Sequence, residues 1–155
     1  HLVLSTLHTN DAAGVIPRLI DMGVPPFLIA SSLILAQAQR LYRKLCPLCK
    51  KPTEVNPDVL VANHIDPAFF EGATLFEAGG CPKCNNIGYK GRGAFMEVLP
   101  VSDAIRGATV KGSPADVLRN IAIQEGMATL KDVGLMKVRS GITSLHAALE
   151  VTGSE

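Results

Sequence analysis

Two copies of one four-residue unit, Cys46-Pro-Leu-Cys49 and Cys81-Pro-Lys-Cys84, stand 31 residues apart in a chain with no other cysteine. Each C-x2-C unit makes a tight turn whose backbone N–H groups aim at the sulfurs. Two such turns present four thiolates to one tetrahedral ion. Four thiolates leave no open coordination position, so the site expected from Cys46, Cys49, Cys81 and Cys84 is structural. Secreted disulfide scaffolds are usually smaller and depend less on a conventional core. The pairing therefore favours a reducing compartment and a metal.

Other uses of the four thiols fit less well. A redox dithiol uses a single C-x-x-C at a helix N-terminus after a strand, which two copies with Pro after the first Cys match poorly. A rubredoxin-like iron centre uses similar pairs, but the aromatic packing around such a site is thin here, with Phe69, Phe70, Phe76 and Tyr89 as the only neighbours in sequence. Zn²⁺ is the better fit. Residues 40–92 carry eight Lys or Arg against five Asp or Glu. That mild excess suits a nucleic-acid-binding zinc ribbon or, as the simpler reading, lysines that offset the negative charge of a metal tetrathiolate. The whole chain has 15 basic and 14 acidic side chains, a net charge of +1. This balance disfavours phosphate-backbone binding, and no nucleic-acid partner is expected.

With 155 residues, 47% of them hydrophobic and 19% charged, the chain can bury a core and is not intrinsically disordered. Its longest apolar run, residues 27–38, is broken by Ser31, Ser32 and Gln37 and falls short of the ~20 residues of a membrane span. It reads as a buried helix over residues 27–37, opened by Pro25-Pro26. Before it, His1-Leu-Val-Leu-Ser-Thr-Leu reads as a strand buried on both faces of a parallel sheet. Thr9, Asn10 and Asp11 are cap types that predict a helix from there to Asp21, stopped by Gly23. Residues 39–45 and 91–99 read as strands, the second returning to the main sheet. Between the cysteine pairs Pro and Gly mark loops, with a short helix near residues 58–63. Ser113-Pro-Ala-Asp116 and Thr129-Leu-Lys-Asp132 open helices that Gly126 and Gly141 close, and Thr143 or Ser144 opens a last one. His8 lies where a strand gives way to a helix start, the place where open α/β sheets collect ligands. Thr9 and Asn10, at that helix start, are candidates to sit near a phosphate.

The string His1-Leu-Val-Leu-Ser-Thr-Leu-His8-Thr-Asn-Asp-Ala resembles the histidine box of the secretion ATPases, the hexameric motors of type II secretion and type IV pilus assembly. The resemblance continues through Gln39-Arg-Leu-Tyr-Arg-Lys-Leu-Cys46-Pro-Leu-Cys49, Cys81-Pro-Lys-Cys84 and Gly88-Tyr-Lys-Gly-Arg-Gly-Ala-Phe-Met-Glu-Val. It ends with Glu125-Gly-Met-Ala-Thr-Leu-Lys-Asp and Gly141-Ile-Thr-Ser-Leu. It implies α/β architecture: the C-terminal part of a RecA-like P-loop NTPase core, an inserted tetracysteine zinc module and a small helical tail. His8 and His1 would be the box's two histidines, beside the γ-phosphate, and the four cysteines the zinc ligands. Arg40 and Arg43 match family positions without an assignable step, and His146 stands where the family often has an acidic residue.

The divisions implied are 1–45 for the end of the ATPase core, 46–91 for the zinc insertion, 92–110 for the return strand and 111–155 for the helical tail. A phosphate-cradling G-x-x-x-x-G-K-[ST] is absent, and the sequence holds no Gly-Lys pair at all. The chain opens on His1 in the middle of an apolar run, so it is expected to be part of a longer protein; the resemblance implies that this protein binds ATP and Mg²⁺. That protein would form a homo-hexamer at the cytoplasmic face of the inner membrane and act on platform proteins there. The piece alone is expected to be inactive.

Overall fold

A computed structural model describes residues 1–153. The chain is a mixed α/β fold that divides into two compact units, His1–Gln39 with Met96–Leu130, and Arg40–Phe95 with the residues from Lys131 onward. The first unit contains α1 (Val15–Asp21), α2 (Pro26–Ser32), α4 (Asp103–Val110) and α5 (Ala115–Gln124). The second contains β2 (Lys51–Thr53), α3 (Pro57–Ala62), β3 (Leu75–Glu77), nearly all of α6 (Leu130–Arg139), and α7 (Leu145–Thr152). Two long strands, β1 (Leu35–Leu45) and β4 (Tyr89–Pro100), give residues to both units and pair with each other. Val101 N–H donates to Ile34 C=O beyond one end of the pair, and Cys46 N–H donates to Gly88 C=O beyond the other, each at 2.9 Å. Low numbers on β1 thus face high numbers on β4, so the pair is antiparallel.

Burial alternates along both strands. Ala36, Ala38 and Tyr42 on β1, and Phe95, Glu97 and Leu99 on β4, point inward, as the two-residue period of a half-covered sheet requires. In the second unit Tyr42 and Phe95 stack with ring centroids 4.1 Å apart. Gly93 leaves the room that Tyr42 fills, since a Cβ there would meet the phenol ring at 2.6 Å. In the first unit the Arg106 guanidinium donates to the Ala30 carbonyl, joining α4 to the end of α2.

Helix ends follow local chemistry. Ser102 accepts from Ile105 N–H at the start of α4, and Ser144 accepts from Ala147 N–H at the start of α7. Gly23, Gly126 and Gly141 take positive φ just past α1, α5 and α6, the conformation a chain needs to leave a helix in this way.

Several sequence expectations are corrected. Residues 1–9 form no strand, and Leu2, Val3 and Leu4 are 77–89% exposed, because no described strand flanks them to complete a sheet. The first helix begins at Val15, not at Asn10. Asp11 accepts from Gly14 N–H at 2.6 Å, so its side chain closes a turn ahead of the helix. α2 ends at Ser32 instead of running to Gln37, and β1 starts at Leu35 instead of Gln39. There Leu35, Ala36, Gln37 and Ala38 alternate exposed and buried, so pairing with β4 overrides a helical reading of the same apolar run. Residues 91–99 do form a strand, but within a two-stranded sheet. Ser113-Pro-Ala-Asp116 does open α5, with Pro114 at the cap and Ala115 as the first helical residue, where the sequence predicts Pro114 in that place. α4, within the residues assigned to a return strand, was not expected; Ser102-Asp103 is its start signal.

Phe95 is fully buried against Tyr42, with Gly134 packed on its ring edge. Phe95→Ala should cost about 3–5 kcal/mol, read as a lowered denaturation midpoint with unchanged slope. A shift below about 1 kcal/mol would show that this stack does not organise the core.

Candidate metal centre

The four cysteine sulfurs converge so that all lie within 4.8 Å of one another. Cys46 to Cys81 is 3.9 Å, Cys49 to Cys84 is 3.7 Å and Cys81 to Cys84 is 3.7 Å. An ion bound by four thiolates at about 2.3 Å sets sulfur–sulfur separations of roughly 3.8 Å. The cluster therefore has the dimensions of a tetrahedral tetrathiolate cage, and no cysteine is paired in a disulfide.

Backbone geometry explains the convergence. Cys46 follows directly on β1, and its N–H donates to Gly88 C=O just before β4. The strand pair thus sets where both turns begin and end. In the first turn the Cys46 carbonyl accepts from Cys49 N–H at 3.3 Å and Lys50 N–H at 3.0 Å. In the second the Cys81 carbonyl accepts from Cys84 N–H at 3.1 Å and Asn86 N–H at 2.9 Å. Asn85 and Asn86 then take φ of 54° and 60°, left-handed conformations that Asn tolerates better than most residues. They curl the chain back so that Gly88 N–H donates to the Cys84 sulfur at 3.3 Å. Gly79 lets the two turns touch, because a Cβ there would lie 2.0 Å from the Cys49 carbonyl oxygen.

The same features separate the thiols electrostatically. Burial pushes the Cys49 thiol up, and its hydrogen bonds with Cys84, Cys46 and Cys81 add to this, to about 12. Burial also acts to raise Cys84, but backbone hydrogen bonds with Cys81 and Gly88 and the thiols of Cys49 and Cys81 outweigh it and bring Cys84 down to about 6. Cys84 is thus already favoured as thiolate, whereas ionising Cys49 calls for a cation beside it.

The surroundings are tied to the last two helices. Lys50 donates from Nζ to Gly141 C=O at 2.8 Å and lies over the Phe76 ring. Tyr89 shares a 2.7 Å hydrogen bond with Ser144 and lies under the Arg43 guanidinium, which pairs with Glu150 at 2.7 Å. Phe69 and Phe70 pack edge to face on each other. Three of the sequence candidates for an aromatic shell, Phe69, Phe76 and Tyr89, therefore have cations over their rings, Arg139 over Phe69 among them.

The other candidates are not gathered at this centre. His1 and His8 lie in the exposed, irregular stretch of residues 1–9, and His146 is exposed on α7. Thr9 and Asn10 do not start a helix, so the dipole argument that placed them near a phosphate does not hold. Sequence reasoning missed Glu97, whose fully buried carboxylate accepts from Ala12 N–H at 2.8 Å and from Leu130 N–H at 3.2 Å. The signal was present: a lone acidic residue in Phe95-Met-Glu-Val-Leu occupies the same alternating face as Phe95 and Leu99.

The chain matches the family described as Type II/IV secretion system protein over residues 1–150. It is 46% identical over 155 residues to the type IV pilus assembly ATPase PilB of Myxococcus xanthus, covering 99% of this chain and 27% of that one. It is 45% identical over 152 residues to PilB of Thermus thermophilus, covering 98% and 17%. It is also 45% identical over 152 residues to the type II secretion system ATPase E of Vibrio cholerae, covering 98% and 30%. The chain thus spans between about a sixth and a third of the curated relatives it matches.

Two outcomes follow from the cage. In metal-stripped chain at pH 7, iodoacetamide should modify Cys84 ahead of Cys49, since hydrogen bonds hold Cys84 below the usual thiol range while burial and the neighbouring thiols hold Cys49 above it; mass spectrometry of the peptides reads the order, and the reverse order would contradict the hydrogen-bonding account. Gly79→Ala should weaken metal binding by about 10–100-fold in a chelator competition, and unchanged affinity would mean the turns need not touch.

Proposed function

This chain belongs to the Type II/IV secretion system protein family, and we propose that it is the C-terminal part of a hexameric ATPase that powers type II secretion or type IV pilus assembly. The observation that carries this is the match to such ATPases over 98–99% of the chain, together with a four-cysteine cage. On this reading residues 1–45 and 92–110 finish a RecA-like nucleotide-binding core, 46–91 are a metal-binding insertion and 111–155 are a helical tail. The parent protein supplies the phosphate-binding loop that these residues lack. It works at the cytoplasmic face of the inner membrane on platform proteins, as a homo-hexamer. No helix of the described residues is long and apolar enough to cross a membrane.

The cage holds Zn²⁺ in a structural role. Four thiolates leave the ion no open position for a substrate, and it stabilises the fold by closing the loop between the two turns. Cys84 contributes a sulfur already favoured as thiolate, with Gly88 N–H fixed on it. His8 senses or assists at the γ-phosphate of ATP bound with Mg²⁺ by the parent protein, and His1 is the second histidine of that box. Its exposure in this chain suits a side chain whose partner is a nucleotide held by other residues.

The purified 155-residue chain should contain one zinc and no iron by elemental analysis, and should be colourless. A red, iron-containing preparation from metal-balanced growth would remove the zinc assignment. Zinc should be lost as pH falls, because protons compete for the thiolates. The chain alone should show no ATP turnover. In the parent protein His8→Ala should lower kcat for ATP hydrolysis by about 10²-fold or more while zinc content and folding stay intact; normal hydrolysis would return His8 to a structural role.

A further inference from the structure

Glu97 presents an arrangement that the proposed site does not use. Its side chain is fully buried, in the second half of β4, where the neighbours on its face are Phe95 and Leu99. Burying a carboxylate costs several kcal/mol unless hydrogen bonds replace its water. Here one oxygen takes Ala12 N–H at 2.8 Å, and the other takes Leu130 N–H at 3.2 Å, the first residue of α6. The two donors come from segments more than a hundred residues apart in sequence. A carboxylate can accept from both because it has an acceptor on each oxygen, whereas an amide of the same size puts an NH2 donor in place of the second.

What Glu97 holds is the turn that follows His8. Ala12 and Ala13 are completely buried, whereas residues 1–6 and His8 are exposed. Asp11 fixes the same turn from the side, accepting from Gly14 N–H at 2.6 Å and pairing with Arg119 of α5 at 3.4 Å. Ala12 lies four positions beyond His8, a reach of at most about 14 Å. The place available to His8 is therefore set by where Ala12 is pinned.

We propose that Glu97 is a positioning residue: its carboxylate ties the turn after His8 to the start of α6 and so fixes how far His8 can reach toward the bound nucleotide. This rests on the reading of His8 as the nucleotide-facing histidine. A misplacement of about 1 Å in such a group costs on the order of 10²-fold in rate, so the tether matters even though it touches no substrate.

The test uses the full-length parent protein and four forms: wild type, Glu97→Gln, His8→Ala and the double variant. In Glu97→Gln one oxygen still accepts, but the amide NH2 faces the second N–H donor. Its kcat for ATP hydrolysis should fall about tenfold, with KM for ATP changed less than twofold and zinc content unchanged. In the His8→Ala background the same substitution should lower kcat no further, since its effect acts through the histidine. Hydrogen exchange should quicken in the peptides carrying Ala12 and Leu130. Glu97→Asp, which keeps the charge but draws it back by one methylene, should lose less kcat than Glu97→Gln and serves where the latter folds poorly. Equal losses from Glu97→Gln in both backgrounds would overturn the proposal by showing a structural role alone. Unimpaired Glu97→Gln beside an impaired His8→Ala would overturn the tether and leave the histidine reading standing. Normal hydrolysis by His8→Ala would overturn the histidine reading itself, and the positioning role with it.

Discussion

Four cysteine sulfurs within 4.8 Å are the constraint on which the second unit depends. Thiolates that close repel one another, and burial makes Cys49 harder to ionise. A bound cation turns that repulsion into attraction, which is why the cage gains most of its value when a metal fills it. The 31 residues between the two pairs have few inward side chains, chiefly Leu60, Ile65, Phe70 and Leu75, and one short pairing of β2 with β3. So small a core supplies little stability of its own. Closing the loop at its base lowers the entropy cost of ordering it, and the cysteines do this where β1 and β4 already bring the chain together.

β4 carries several of the ties that hold this chain. Just before its start, Gly88 accepts from Cys46 N–H and donates to the Cys84 sulfur. Along its length Phe95 stacks on Tyr42, and two residues later Glu97 binds Ala12 and Leu130. The two-residue period puts Phe95, Glu97 and Leu99 on one face. An apolar residue at 97 would pack as well as its neighbours but would leave two buried N–H groups without this acceptor, at about 1–3 kcal/mol each. A carboxylate in a core is therefore the less costly choice once the backbone of residue 12 and the start of α6 both end there.

What the sequence made legible were features whose cause is local. The metal cage follows from ligand type and spacing, and every helix stop marked by Gly23, Gly126 or Gly141 rests on a positive φ that glycine adopts freely. Ser144 as a cap follows from its own side chain. What stayed illegible depends on neighbours. Leu35-Ala-Gln-Ala-Gln is helix-compatible until β4 lies beside it. Asp11 looks like a helix cap but closes the turn before the helix. Glu97 looks like any acidic residue unless its register is counted against Phe95. The family resemblance named His8 but could not show what holds the chain four residues after it.

The exposed start of the chain takes its meaning from the proposed function. Leu2, Val3 and Leu4 lie open to solvent at 77–89%, in a stretch whose composition suits a strand covered on both faces. Each large apolar side chain left in water forgoes roughly 1.5–3 kcal/mol. Leu35, Met96 and Val98 on the outer face of the β1–β4 pair are also exposed. If these residues complete a nucleotide-binding core, its remaining strands and helices cover both surfaces. Docking them would then order the stretch that carries His8, with one end set by the added strands and the other by Ala12 on Glu97.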